Sequence, residues 1–454
     1  MSRLQDQDFT YWFLREAFGW DVVLQVTWMF DSPPATAAVR SVADALAASR
    51  LHRRLVRPRI PVARPSWVRS TADAALTIQD DPVPADERDE WARALLRTTD
   101  LDAEAGRCWA VHLAPDDRGG AVLSLTCLHL VADGRALTAA ATDAVAATRT
   151  ASPAPSKMSL RRPGLVSDLA DAGLQVGRAA VGTARAVRAA VTSRPADSAT
   201  DLVAPSPERS ARPARSAPAV RAPRADPSWV VVDTDTDHWA ERAARYGGTP
   251  NSLFVAVVAG ALYASGYAAP GDPVRIGVPV SLRGPDAADD ERSNATGGVT
   301  VVVDDRPSAG GDLGPVRARC RAAFTAVGAG ERPAAYHLQS LLQVLPIALV
   351  TRVVMAGPSG MPDAVASNLG RFDGLARVGD ATATSVSFRG DARGVRPDRP
   401  ERFGEGVQSW LLETEGRTTF AVAGFDETCV GSVSALRDAV RAELEAWGVR
   451  GDVA

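Results

Sequence analysis

The stretch from Ala121 to Gly134 constrains this chain most. Ala121 to Leu128 is an apolar run with the content of a buried strand, and it ends in a single histidine, His129. Asp133 and Gly134 follow, ahead of a helix-like segment from Arg135 through Ala147. A strand that delivers one imidazole to its end, followed by an acid and a turn, is a good way to hold a general base. Gly134 would let the chain turn without a Cβ penalty. The competing reading is a buried structural histidine, so the remaining chain has to decide.

At 454 residues the chain is too long for one ordinary core. A net charge of −3 supplies no basic field of the kind that drives nucleic-acid binding. The cysteines (Cys108, Cys127, Cys320 and Cys429) have no CxxC spacing, and His52, His112, His238 and His337 show no ligand spacing, so no metal site is expected. The N-terminus, MSRLQDQDFTYWFLRE, mixes charge with aromatics and lacks a leader-like apolar core. No run reaches the ~18 apolar residues that suggest a bilayer span. A cytoplasmic protein is expected.

Predicted strands are Asp21 to Phe30, Cys108 to Leu113 and Ala121 to Leu128, the last two forming a hairpin, with helices at Thr36 to Ser49 and Glu87 to Thr98. Arg53 to Trp67 reads as irregular. Residues 193–227 are Pro, Ala, Ser and Arg without a hydrophobic period, a linker between an N-terminal part, 1–192, and a C-terminal part, 228–454. In the second part, strands are expected at Trp229 to Val232, Pro273 to Val280, Gly298 to Val303, Ala364 to Ser367, Thr382 to Phe388, Gly406 to Leu412 and Thr418 to Phe425. Helices are expected at Thr249 to Ser265, Leu313 to Val327, Tyr336 to Val354 and Val433 to Trp447. Mixed sheets with helices packed on them, an α/β (α+β) class, fit this order.

Leu165 to Thr192 is helical in pattern, with Leu165, Leu169, Ala172, Val176, Ala180, Thr183, Val187 and Val191 near one face and Arg178, Arg185 and Arg188 elsewhere. It reads either as a packing helix or as an interfacial helix making peripheral membrane contact. The linker arginines (Arg209, Arg212, Arg215, Arg221 and Arg224) suit a solvated linker, an acidic partner or the phosphates of coenzyme A. No GxSxG elbow exists, since Gly357-Pro358-Ser359-Gly360 does not supply one, and Gly328-Ala329-Gly330 is no dinucleotide fingerprint.

Leu128-His129-Leu130-Val131-Ala132-Asp133-Gly134 resembles the HHxxxDG motif of the coenzyme A-dependent acyltransferase superfamily. That superfamily includes chloramphenicol acetyltransferase, the condensation domains of peptide synthetases, polyketide-associated acyltransferases and wax ester synthase/diacylglycerol acyltransferases. Pro279-Val280-Ser281-Leu282-Arg283 resembles its PVxxR strand end, and Ser367-Asn368-Leu369-Gly370 its SNxG segment. Asn294 sits where several members carry an Asn, and Phe403-Gly404-Glu405-Gly406 faintly resembles the FGWG element of plant members. The departure is Leu128, which replaces the first motif histidine.

The resemblance implies a chloramphenicol-acetyltransferase-like fold of two pseudo-related subdomains with the active site at their interface. It implies His129 as general base and an Asp133–Arg283 structural ion pair, with Ser367, Asn368, Gly370 and Asn294 lining the oxyanion or substrate site. It also implies an acyl-CoA or acyl carrier protein donor with no further cofactor. The acceptor would be an alcohol of the lipid, wax ester or acylglycerol kind. An N-acyltransferase of small metabolites or peptides, and a non-catalytic binding module that docks a carrier protein, are the alternatives.

Overall fold

The computed structural model describes residues 2–149, 161–192, 226–284, 292–307, 310–328, 339–356, 362–396 and 404–454. Most of the linker (193–225), with its arginines, lies outside the described residues, as do His337, Phe403 and Gly357 to Gly360. Two sheets carry the architecture. The first has strands in the order Ser385–Arg393, Asp21–Phe30, Ala121–Leu128, Trp109–Pro115 and Leu76–Ile78. The second has seven strands, ordered Thr296–Val303, Val274–Ser281, Ala364–Arg371, Val407–Thr414, Arg417–Gly424, Ser228–Asp235 and Gly451–Val453. Both are mixed: Leu76–Ile78 runs parallel to its neighbour, and Ala364–Arg371 runs parallel to both of its own.

One strand crosses the expected boundary. Ser385–Arg393, far into the C-terminal part, pairs antiparallel with Asp21–Phe30, from Ser385 opposite Met29 to Arg393 opposite Asp21. The expected parts 1–192 and 228–454 therefore do not each keep a sheet to themselves. An outer strand of the first sheet is lent by the second half. The cores follow suit, because Trp229, Trp410, Leu412 and Ala421 pack with Val26, Trp28 and Phe388 in the first core. The helix Pro250–Ala264, capped reciprocally by Thr249 and Ser252, is apolar all round and buried in the second core.

Several expectations are corrected. Arg53 to Trp67 is not irregular throughout, since Arg53–Val56 and Ser66–Arg69 pair as short strands. The segment expected as one helix from Tyr336 holds two described helices, Gln339–Val344 and Ile347–Ala356, on either side of Pro346. The N-terminal stretch, assigned no element from its mixed composition, is the helix Asp6–Phe18, closed by Gly19 in the left-handed region. Leu165–Thr192 is a helix as expected, but its apolar face is turned outward.

Candidate functional site

The motif strand Ala121–Leu128 is central in its sheet and fully buried. Strand alternation sends Leu128 into the first core, where it is 2% exposed, and His129 to the other side. A histidine at position 128 would lie among apolar side chains, so its absence removes nothing from the surroundings of the His129 ring. The His129 backbone N–H donates to Val22 O at 2.8 Å, which extends the pairing one residue beyond the strand. The loop that follows is held by buried Arg53, which lies over the Trp67 ring and donates to Val131 O.

Asp133 caps the helix Gly134–Ala146, its Oδ1 accepting from Ala136 N–H at 2.9 Å. Its other oxygen, Oδ2, accepts from Arg283 Nη1 at 2.5 Å, Ala295 N–H at 2.8 Å and Thr296 Oγ1 at 3.2 Å. A carboxylate with four donors has no capacity left to relay a proton. Asp133 and Arg283 form the expected ion pair, with both side chains buried. Gly134 is a correction, because its φ is not positive. A Cβ there would sit 2.6 Å from Leu369 Cδ2 and 3.3 Å from Phe388 Cζ, so the glycine serves close packing rather than a turn.

Arg283 and Asn294 leave the paired strands Val274–Ser281 and Thr296–Val303, with Leu282 N–H donating to Ala295 O between them. Arg283 Nη2 donates to Arg292 O at 3.1 Å and Ser293 O at 3.3 Å. Asp133 N–H also donates to Ser293 O, at 3.0 Å. The motif aspartate thus grips the chain on both sides of Asn294, at Ser293 and at Ala295.

Asn294 is not a substrate-lining group. It is 1% exposed and stands behind the imidazole, its Oδ1 3.0 Å from His129 Nδ1. Its Nδ2 points to Asp8 Oδ1 at 2.9 Å and Leu130 O at 3.4 Å. Both of those are acceptors, so the amide nitrogen must face them and the amide oxygen must face the ring. An oxygen can only accept, which places the proton on Nδ1. Nε2 of the neutral ring is then the free base, and it makes no hydrogen bond among the described residues.

Two participants come from the N-terminal helix. Asp8 is buried and closes that helix's capping box through Gln5 N–H at 2.8 Å, while its other oxygen anchors Asn294. Burial raises its pKa, and hydrogen bonds from Asn294 oppose the rise. Tyr11 stacks on His129 with ring centroids 3.7 Å apart and planes 18° from parallel. Burial holds the phenol far above its usual range, so it stays protonated. Burial also pushes the His129 imidazole down to about 4, with Asp133 and Asn294 opposing. The one available signal was Gln5 followed three residues on by Asp8, a capping-box spacing.

The SNxG segment lies on the strand Ala364–Arg371, and its side chains diverge. Asn368 Nδ2 donates to Asn251 Oδ1 at 3.3 Å and its Oδ1 accepts from Gly370 N–H at 2.9 Å, so its amide serves the strand end. Gly370 takes a φ of +88°, with Arg135 donating to the adjacent Leu369 O at 2.6 Å. Ser367 is buried, and the Leu369 side chain two residues on packs on Gly134 of the motif. Neither Ser367 nor Asn368 hydrogen-bonds His129.

No protein-family model matches the sequence, and no curated protein matches it. Solved structures do. The first condensation domain of the CDA synthetase superposes with a TM-score of 0.58 at 14% identity, over 99% of this chain and 98% of that one. The chain has the condensation-domain fold. The wax ester synthase/diacylglycerol acyltransferase from Marinobacter aquaeolei VT8 shares it, with a TM-score of 0.54 at 16% identity over 98% of each chain. So does a variant of the starter condensation domain of rhizomide synthetase, solved in complex with C8-CoA, at 0.55 and 14% over 98% of this chain and 94% of that one. The likeness is one of fold, and it agrees with the fold expected from the sequence.

Proposed function

We propose that this protein is a thioester-dependent O-acyltransferase with His129 Nε2 as its general base. The observation that carries the reading is the Asn294 Oδ1 to His129 Nδ1 contact, which commits Nε2 to accept a proton. An acceptor hydroxyl gives its proton to Nε2 as its oxygen attacks the thioester carbonyl carbon, and the carbonyl electron pair moves onto oxygen. Collapse of that tetrahedral intermediate expels the thiolate, which takes the proton back from Nε2. An imidazolium of depressed pKa is a weak holder of that proton and gives it up readily to the thiolate. Ser367 is the candidate donor to the oxyanion. Asp133 and Arg283 are positioning residues, acting through Asn294.

The donor in this reading is acyl-CoA or an acyl carrier protein. Support comes from the same fold holding C8-CoA in the rhizomide starter domain. The acceptor in this reading is a lipid alcohol, a class in keeping with the wax ester synthase/diacylglycerol acyltransferase that shares the fold. The test incubates the purified protein with octanoyl-CoA and a panel of alcohols that includes a long-chain alcohol and a diacylglycerol, following free thiol and ester. Ester formation should fall at least ~100-fold in His129→Ala, the low end for loss of a general base, with an unchanged circular dichroism spectrum. Transfer to amines alone would overturn the O-acyl assignment. Near-normal transfer by His129→Ala would overturn the role of the base.

A further inference from the structure

The helix Leu165–Thr192 is built inside out. Its inward face carries Asp168, Asp171, Gln175, Ala179 and Ala186, all buried and spaced by three, four or seven residues. The two acids are anchored to the body: Asp168 to Arg3 Nη2 at 2.8 Å and Arg59 N–H at 2.9 Å, and Asp171 to Arg64 Nη2 and N–H, each at 2.8 Å. The opposite side holds Leu165, Val166, Leu169, Val176 and Val187, with Leu174 and Val181 on its flank, between 46% and 81% exposed. These account for seven of the nine large exposed apolar side chains among the described residues. Gly173 and Gly177 also face open space. Every exposed charge described between 161 and 188 is an arginine: Arg161, Arg162, Arg178, Arg185 and Arg188.

We propose that this face docks the protein on the surface of an anionic lipid bilayer. Polar anchors fix the helix to the body through its inner face, so the apolar side cannot roll inward to hide. The outer surface therefore combines apolar side chains at helical spacing with cations and no exposed acid, which is the pattern of an interfacial helix. The same arginines repel a like surface, which disfavours pairing of two copies through this face. Among the described residues no helix is long and apolar enough to cross a membrane, so the helix lies on the bilayer. It spans about 42 Å at 1.5 Å per residue. A cavity lined by Leu4, Phe9, Trp12, Pro61, Arg64 and Ile347 adjoins the anchor at Arg64.

The proposal does not depend on acyl transfer and is tested without it. The full chain is floated with vesicles of phosphatidylcholine alone or of equal parts phosphatidylcholine and phosphatidylglycerol. Binding to the mixed vesicles should exceed binding to the neutral ones at least ~10-fold at low salt and weaken as salt screens the arginines. Leu169→Asp/Val176→Asp should abolish it, and Arg178→Glu/Arg185→Glu should remove the preference for anionic lipid. All four positions are exposed, so unchanged circular dichroism and thermal melting establish that both variants fold. Failure of the wild type to bind mixed vesicles, or binding untouched by Leu169→Asp/Val176→Asp, overturns the proposal. A concentration-dependent dimer abolished by that same double variant would assign the face to a second copy and overturn it equally.

Discussion

Asn294 Oδ1 lies 3.0 Å from His129 Nδ1, and Asn294 is oriented by a carboxylate from the opposite end of the chain, Asp8. The ring is held from three directions: Val22 takes its backbone, Asn294 fixes its tautomer and Tyr11 covers one face. Asp133 and Arg283 do not touch the imidazole by hydrogen bond; they hold the turn that carries Asn294.

Replacing Asn294 should therefore act on the base without removing it. In Asn294→Leu the Nδ1 proton loses its acceptor, and the buried Asp8 oxygen loses a side-chain donor, which costs about 1–3 kcal/mol. We expect kcat to fall roughly 10- to 100-fold, with a lowered melting temperature. The discriminating readout is the pH profile of kcat/KM, whose acid limb should move because Asn294 opposes the fall in the ring's pKa. An unchanged profile with unchanged kcat would remove Asn294 from the site.

Asp133→Asn should destabilise more than it alters any reacting group. The variant leaves the Arg283 guanidinium, 6% exposed, without its counter-charge. A stranded buried charge costs about 3–5 kcal/mol. Chemical denaturation of Asp133→Asn, Arg283→Met and the double variant should show the double losing less than the sum of the singles. Strict additivity would show that the two residues are not coupled.

Gly134→Ala tests close packing against turn geometry. Since φ is not positive, alanine meets no backbone strain, and helix propensity favours it by up to about 1 kcal/mol. The contact 2.6 Å from Leu369 Cδ2 opposes that gain. The net change should lie within about 1 kcal/mol of zero, whereas Gly134→Val should lose about 1–3 kcal/mol through overpacking. Equal melting temperatures for wild type and Gly134→Val would refute the packing role.

The depressed pKa of His129 fixes the sign of a pH effect. The neutral ring is the working form, so kcat/KM should stay flat through the neutral range and fall only as pH approaches about 4. An unperturbed histidine would begin to fail near 6.5. Because the folded-state pKa lies below the unfolded one, the unfolded chain binds more protons between them. This group's contribution to stability is present above about 6.5 and lost as pH falls toward about 4. His129→Phe should flatten that part of the stability curve, and an acid limb near 6.5 in wild-type activity would contradict the shift.

Local pattern carried much of the fold. The strand Asp21–Phe30 and the helix Pro250–Ala264 were legible because burial on both faces or all round leaves a continuous apolar run. His129, Asp133, Gly134 and Arg283 were legible because their residue order, at or just past the ends of two strands, resembles short motifs of the superfamily. The N-terminal helix was not, because its buried positions pair the polar Asp8 with Phe13 and its other aromatics are only partly covered, so no clean apolar stripe marks it. A periodicity reading placed the apolar stripe of Leu165–Thr192 without saying which way it faced.

The sequence by itself determined the strand that ends in His129, the acid and glycine after it, and the mixed α/β class. Only the tertiary structure decided that Asn294 and Asp8 set the ring's tautomer, that Ser385–Arg393 crosses into the first sheet, and that a helix shows its apolar side to the outside. The physical reason is one of range. Propensity and hydrophobic period are properties of neighbouring residues, whereas a hydrogen bond between residues 8 and 294, or a strand paired across the chain, is fixed by packing.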